Sequence, residues 1–184
     1  LEGNDNFLKT FKDLDIHDYQ GLKSYVHALP YGRNADKEDV LCVLRDGKGT
    51  CSTKHALLAN VAEEKGITAI KLMLVMYKMK ESNTKGVGAV LNKYNLEYIP
   101  EAHNYLREKG VVSDITFPGV YNSSLSADDI FEEKEIESYQ IAGYKVAYHQ
   151  VFMRTWLLNN PQIPYTFQEL WSIREECIQA LAQS

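Results

Sequence analysis

Residues 47–62, Gly-Lys-Gly-Thr-Cys-Ser-Thr-Lys-His-Ala-Leu-Leu-Ala-Asn-Val-Ala, constrain the fold more than any other stretch. A glycine-flanked turn, Asp46-Gly47-Lys48-Gly49, runs directly into Cys51, and an almost wholly apolar helical run, Ala56 to Ala62, follows. A helix with so little polar face of its own has to be buried. Thr50 is placed to cap it, which sets Cys51 in the first turn. There the helix dipole and the backbone N–H groups favour a thiolate over a thiol. The same N–H groups can hold an oxyanion. The opposing reading is a buried structural cysteine beside a glycine turn, since free cysteine is among the most buried residue types.

A chain of 184 residues suits one domain with a real hydrophobic core. We read a core over about residues 28–118 and a helical part over about 126–184. The net charge of -5 argues against a nucleic-acid partner, which would call for a basic stripe. The longest apolar runs fall far short of a membrane span. Three cysteines cannot all pair with one another, and their spacing is not that of a zinc site. Reduced thiols in a cytoplasmic setting are the simplest expectation, and the opening at Leu1 rather than Met is the feature that counts against resting localisation on it. Asn122-Ser123-Ser124 matches the glycosylation acceptor pattern and is read as chance.

Along the chain, residues 7–29 mix Phe7, Leu8, Phe11, Leu14, Ile16, Leu22, Val26 and Leu29 with polar residues, which predicts short helical pieces. Leu29 to Asn34 is a loop by its Pro and Gly. Asp36 to Arg45 reads as a short helix, and Gly66 closes the Cys51 helix. Thr68 to Met79 is apolar on both faces and predicts a central strand. Glu81 to Gly88 is a loop, and Val90 to Tyr98 contains a helical turn. Ala102 to Glu108 and Val111 to Phe117 read as a hairpin around Lys109-Gly110. Glu132-Glu133-Lys134-Glu135 reads as a solvated face. Ile141 to Thr155 repeats at helical spacing, and Thr166-Phe-Gln-Glu169 is a capping box opening a last helix through Leu181. Helices, then strands, then helices predict an α+β fold with an antiparallel sheet.

A cysteine nucleophile needs a base, and the base needs an orienting partner. With an even turn at Lys109-Gly110, Glu108 opposes Val111, Tyr105 opposes Asp114 and His103 opposes Thr116. His103, Tyr105, Asp114 and Thr116 then share one face. His103 and Asp114 become diagonal neighbours, roughly 7–8 Å apart at Cα. An odd turn would separate them. Parity permits this pair without requiring it.

The order of these elements, a glycine-preceded Cys51 opening a buried helix, His103 followed two residues later by an aromatic, then Asp114 on the next strand, resembles the transglutaminase-like superfamily. The resemblance covers about residues 28–118 and implies a papain-like fold with Cys51 as nucleophile, His103 as base and Asp114 as its orienting partner. The family often carries Trp where this chain has Tyr105, which bears on the wall of the acyl pocket. The resemblance implies cysteine-dependent acyl transfer to, or hydrolysis of, a peptide, protein or small amide substrate. It calls for no cofactor.

Other readings stand beside it. His55 lies four residues after Cys51 on the same helix face and rivals His103 as base; a role supporting the site from behind, or in packing, one turn into the helix is the preferred alternative. Tyr31 and Arg33 precede the site in a loop and are candidates to line it. Cys42 and Cys177 read as core or inert thiols, and His149 as a surface or packing residue. A zinc site of Cys51, His55, His103 and Asp114 is conceivable, but the cysteine already has an explanation at the helix mouth. A catalytically inactive binding or scaffold protein on the same fold is the second functional class.

Overall fold

The computed structural model describes residues 10–119 and 125–182. Phe7, Leu8 and the Asn122-Ser123-Ser124 acceptor lie outside the described residues. Two compact units are interleaved along the chain. The first takes in the chain up to Leu74, residues from Asn104 onward past β3, and Lys134–Ala142. The second takes in Val75–His103, residues up to Glu133, and the chain from Gly143. The strands are β1 Ile70–Met79, β2 Ile99–Glu108, β3 Val111–Ser113 and β4 Ile130–Glu135, in a four-stranded antiparallel sheet of order β3-β2-β1-β4. The class is therefore α+β.

In the first unit the helices are α1 Tyr19–Ala28, α2 Cys42–Asp46 and α3 Cys51–Glu64. Asp18 caps α1 by accepting from the Gly21 N–H at 2.7 Å. Residues 52–58, Val61 and Ala62 of α3 are buried, as its composition predicts, and α1, α2 and a 3-10 turn at Ser138–Ile141 pack against it. The helix stops where Gly66 turns left-handed at φ 67° and the Ile67 N–H reaches back to the Ala62 carbonyl at 2.8 Å.

Two expectations need correction. The helix read over Asp36 to Arg45 is only Cys42–Asp46. The Asp36 carboxylate accepts from the Glu38 and Asp39 N–H groups, and Asp39 accepts from the Leu41 N–H. These local bonds compete with a helix for the same donors. The second hairpin strand ends at Ser113 rather than Phe117, where the next N–H aimed at β2, that of Ile115, is taken by a side chain described below. Glu132-Glu133-Lys134-Glu135 belongs to β4. It is an edge strand, where charged side chains are common and protect against pairing with other chains.

The hairpin turn has the even parity the argument needed. Glu108 pairs with Val111, Arg107 with Val112 and Leu106 with Ser113. Lys109 and Gly110 both have positive φ, 52° and 84°, the signature of a two-residue turn matched to strand twist.

The second unit holds α4 Gly88–Lys93, α5 Gly143–Leu158 and α6 Phe167–Leu181, with α6 packed against both others. The Thr166 box forms as expected: its N–H donates to the Glu169 carboxylate at 2.8 Å, and its hydroxyl accepts from the Glu169 N–H. Tyr98 sets its ring against Phe131 and Trp156. Among the described residues, no helix is long and apolar enough to cross a membrane.

A buried ion pair anchors α6 to β2: the Arg174 guanidinium donates twice to Glu101, at 2.6 Å each. Burial alone would raise the Glu101 carboxyl, but the Arg174 charge, helped by His149 and Lys145, outweighs it and brings it down to about 2. A carboxyl lowered in the folded state stabilises above its unfolded value and loses that contribution as pH falls through about 2. Glu101→Ala leaves the Arg174 charge buried and unpaired, and should cost about 3–5 kcal/mol in denaturant unfolding near neutral pH. A loss no larger than that of a surface substitution would show that the pair contributes little.

Candidate functional site

The site is assembled from a turn that only glycine permits. Gly47 ends α2 in a left-handed conformation, φ 62°. At Gly49 a Cβ would come within 2.9 Å of Lys54 Cγ and 3.1 Å of Val43 Cγ2, so a side chain has no room. Buried Asn34 holds this turn from outside, donating to Asp46 Oδ2 and the Lys48 carbonyl and accepting from Thr53 Oγ1 at 2.8 Å. Tyr31 runs beside Gly49 as a one-residue parallel bridge, and its ring stacks on Phe117 at 5.1 Å. Arg33 is exposed.

Thr50 then caps α3. Its hydroxyl accepts from the Thr53 N–H, and Thr53 Oγ1 accepts from the Thr50 N–H at 2.9 Å. Cys51 follows as the first helical residue, and it is half-buried. The other two thiols are sealed. Burial, with the Asp46 and Asp39 carboxylates, pushes Cys42 up to about 11. Burial, with Glu101 and Glu176, pushes Cys177 up to about 12. Both should remain protonated and unreactive at neutral pH.

His55 is wholly buried. Its Nε2 accepts from the Ile115 N–H at 3.0 Å, which requires that nitrogen to be unprotonated. Nδ1 therefore carries the proton and donates it to the Cys51 carbonyl at 2.7 Å. Asp114 Oδ1 stands 3.7 Å from Nε2, too far for a hydrogen bond and on a nitrogen already occupied. Both ring nitrogens are thus committed to backbone groups. That removes His55 from any set of metal ligands. Among the described residues, no group of three or more His, Cys, Asp or Glu could hold a metal ion.

Asp114 is buried just past the end of β3. Its Oδ1 accepts from the Thr116 N–H at 3.0 Å and from the Thr116 hydroxyl at 2.6 Å. The Ile115 N–H, which the register would have aimed across at β2, goes to His55 instead, so the ladder is not extended. Tyr105 is buried in β2, with the Arg107 guanidinium 6.0 Å from its ring.

Sequence reading missed three residues here. One is Asn34, which looked like part of a loop. The second is Asn104, which accepts from Ser52 Oγ at 3.0 Å and donates to the Met73 carbonyl at 2.8 Å. The third is Lys54, fully buried, whose ammonium donates to the Leu29 carbonyl at 2.6 Å and the Thr116 carbonyl at 2.9 Å. An Asn in a strand and a Lys on an otherwise apolar helix are the signals that could have marked the last two.

His103 belongs to the second unit. It is half-buried in β2, its ring edge-on to Tyr77 at 6.0 Å, and the Tyr77 hydroxyl meets Thr84 Oγ1 at 3.0 Å.

No protein-family model, curated protein or solved structure matches this chain.

Burial lowers Lys54 to about 8, and the Asp114 carboxylate only partly opposes it. A lysine lowered in the folded state disfavours folding below that value, and the penalty is relieved as pH rises toward the unfolded value near 10.5. The unfolding free energy of the parent, minus that of Lys54→Met, should therefore rise between pH 8 and 10.5. A flat difference across that window would mean that Lys54 keeps an ordinary pKa.

Proposed function

We propose that the protein is a thiol-dependent acyl-transfer enzyme of the transglutaminase-like kind, on a papain-like core. Cys51 is the nucleophile, His103 the base and Asp114 the residue that orients it. The observation that carries this reading is the contrast among thiols: Cys51 sits half-buried at the first position of a capped helix, while Cys42 and Cys177 are sealed and held protonated. The rival base that the sequence offered, His55, is committed to two backbone groups.

In this mechanism the Cys51 thiolate attacks a carbonyl carbon and the Cys51 N–H donates to the oxyanion. His103 passes its proton to the leaving amine, and a thioester remains on Cys51. Water releases an acid, whereas an amine acceptor gives a new amide. Hydrolysis is the default, because water is always present. The substrate class is a peptide, a protein or a small amide, with neither nucleic acid nor membrane as partner, and free thiols suit a cytoplasmic setting.

A specific observation favours a second reading, a binding or scaffold protein without turnover. The β2 side chain bonded to the first turn of α3 is Asn104, through Ser52. Successive strand side chains leave on opposite faces, so His103 and Asn104 serve different sides of β2.

The experiment is the rate of Cys51 alkylation against pH, read alongside hydrolysis of an activated thioester. Under the enzyme reading, limiting iodoacetamide modifies Cys51 before Cys42 or Cys177 and stays fast well below pH 8.5, the free-thiol value being about 8.5. His103→Ala moves the profile toward an ordinary thiol and abolishes hydrolysis, and His55→Ala leaves the profile in place. Ordinary thiol behaviour in the parent, with no hydrolysis, would transfer support to the scaffold reading.

A further inference from the structure

Ser52, the residue after Cys51, has a single hydroxyl proton, and its hydrogen bonds show where that proton goes. Ser52 Oγ donates to Asn104 Oδ1 at 3.0 Å. The Asn104 amide cannot turn round to release the proton, because its Nδ2 donates to the Met73 carbonyl of β1 at 2.8 Å, and a carbonyl only accepts. Ser52 and Asn104 are both buried. Ser52 Oγ also stands 3.9 Å from Cys51 Sγ. With its proton committed to Asn104, the hydroxyl meets the sulfur with a lone pair. A thiol can donate its S–H to that oxygen, whereas a thiolate meets a partial negative charge. A free serine hydroxyl beside a cysteine does the reverse: it turns its proton to the sulfur and favours the ionised form. Asn104 therefore reverses the sense of Ser52.

We propose that Ser52 and Asn104 are positioning residues that hold a proton on Cys51 and so set how far the helix mouth can drive it toward the thiolate. The relay Cys51–Ser52–Asn104–Met73 runs from the first turn of α3 through β2 to β1, entirely within the first unit. It opposes the helix field without cancelling it. A free hydroxyl rotor follows the charge on the sulfur, and a committed one resists it. Any movement that parts Asn104 from Ser52 thus turns the same hydroxyl from a brake into a support for the thiolate. The proposal takes Cys51 as the nucleophile of the function proposed above, yet it concerns an ionisation that is read without substrate. Of the titratable groups around the helix mouth, His55 has both nitrogens on backbone groups, Lys54 donates to two carbonyls, and Asp114 accepts from Thr116. The test leaves these three, and His103, in place.

The test is thiolate absorbance against pH for the full chain: the parent, Ser52→Ala, Asn104→Leu and the double variant, each corrected by its own Cys51→Ser counterpart. Ser52→Ala should lower the Cys51 midpoint, because it removes the acceptor that holds the proton. Asn104→Leu, close in shape, should lower it further, by about one pH unit or tenfold in the ionisation constant, because the freed hydroxyl then donates to the thiolate. Adding Asn104→Leu to Ser52→Ala should move the midpoint no further. A midpoint that Ser52→Ala raises or leaves unchanged would overturn the proposal. So would an Asn104→Leu shift of the same size with and without the Ser52 hydroxyl. Circular dichroism checks the fold of each variant, and if buried Asn104→Leu does not fold, the sign of the Ser52→Ala shift decides alone. A parent midpoint at the ordinary thiol value, with no thioester hydrolysis, counts against the enzyme reading, and the shifts between variants still decide on the relay.

Discussion

The imidazole of His55 joins two pieces of chain sixty residues apart: it donates to the Cys51 carbonyl in the first turn of α3 and accepts from the Ile115 N–H just past β3. The neutral imidazole makes both bonds at once because one ring nitrogen donates while the other accepts. The segment after β3 is held against the mouth of α3 by this ring and by Lys54, one residue earlier, whose ammonium reaches the Thr116 carbonyl and the Leu29 carbonyl together. The loop carrying Tyr31, the turn at Gly49, the helix mouth at Cys51 and the segment carrying Asp114 are therefore fixed by two consecutive polar residues of a buried helix.

That arrangement explains why α3 tolerates so much polarity inside. Ser52, Thr53, Lys54 and His55 are all buried, and each has a named hydrogen-bond partner: Asn104, Asn34, two carbonyls, and two backbone groups respectively. A buried polar group left unsatisfied costs about 1–3 kcal/mol. The network is stabilising only as a whole, and removing one partner strands another. It also leaves Cys51 as the one residue of the first turn that is not buried, at a point where the helix field favours negative charge.

Much of this was legible in the sequence, and the reasons are particular. Gly47, Gly49, Thr50 and the run from Ala56 encode a turn, a cap and a buried helix through local rules, and local rules survive folding. The parity of the Lys109-Gly110 turn was legible because a two-residue loop fixes register directly. The Thr166–Glu169 box was legible for the same reason. What the sequence concealed depends on contacts between distant residues. Asn34 looked like loop, Asn104 like a strand residue, and Lys54 drew no reading at all, yet each is buried by partners 12 to 62 residues away. The early end of β3 was concealed likewise, because His55 takes the Ile115 donor from another element. The charge run Glu132–Glu135 was read as a solvated face without an element assigned to it, and it lies on the edge strand of the sheet.

The central claim is that the fold prepares Cys51 as a nucleophile. Thiolate absorbance in the ultraviolet, titrated for the parent and corrected by subtraction of Cys51→Ser, measures it most directly, because it reads ionisation without any substrate. The account predicts a Cys51 titration midpoint clearly below the ordinary thiol value of about 8.5, reached while Cys42 and Cys177 stay protonated. A midpoint at or above that value would contradict it.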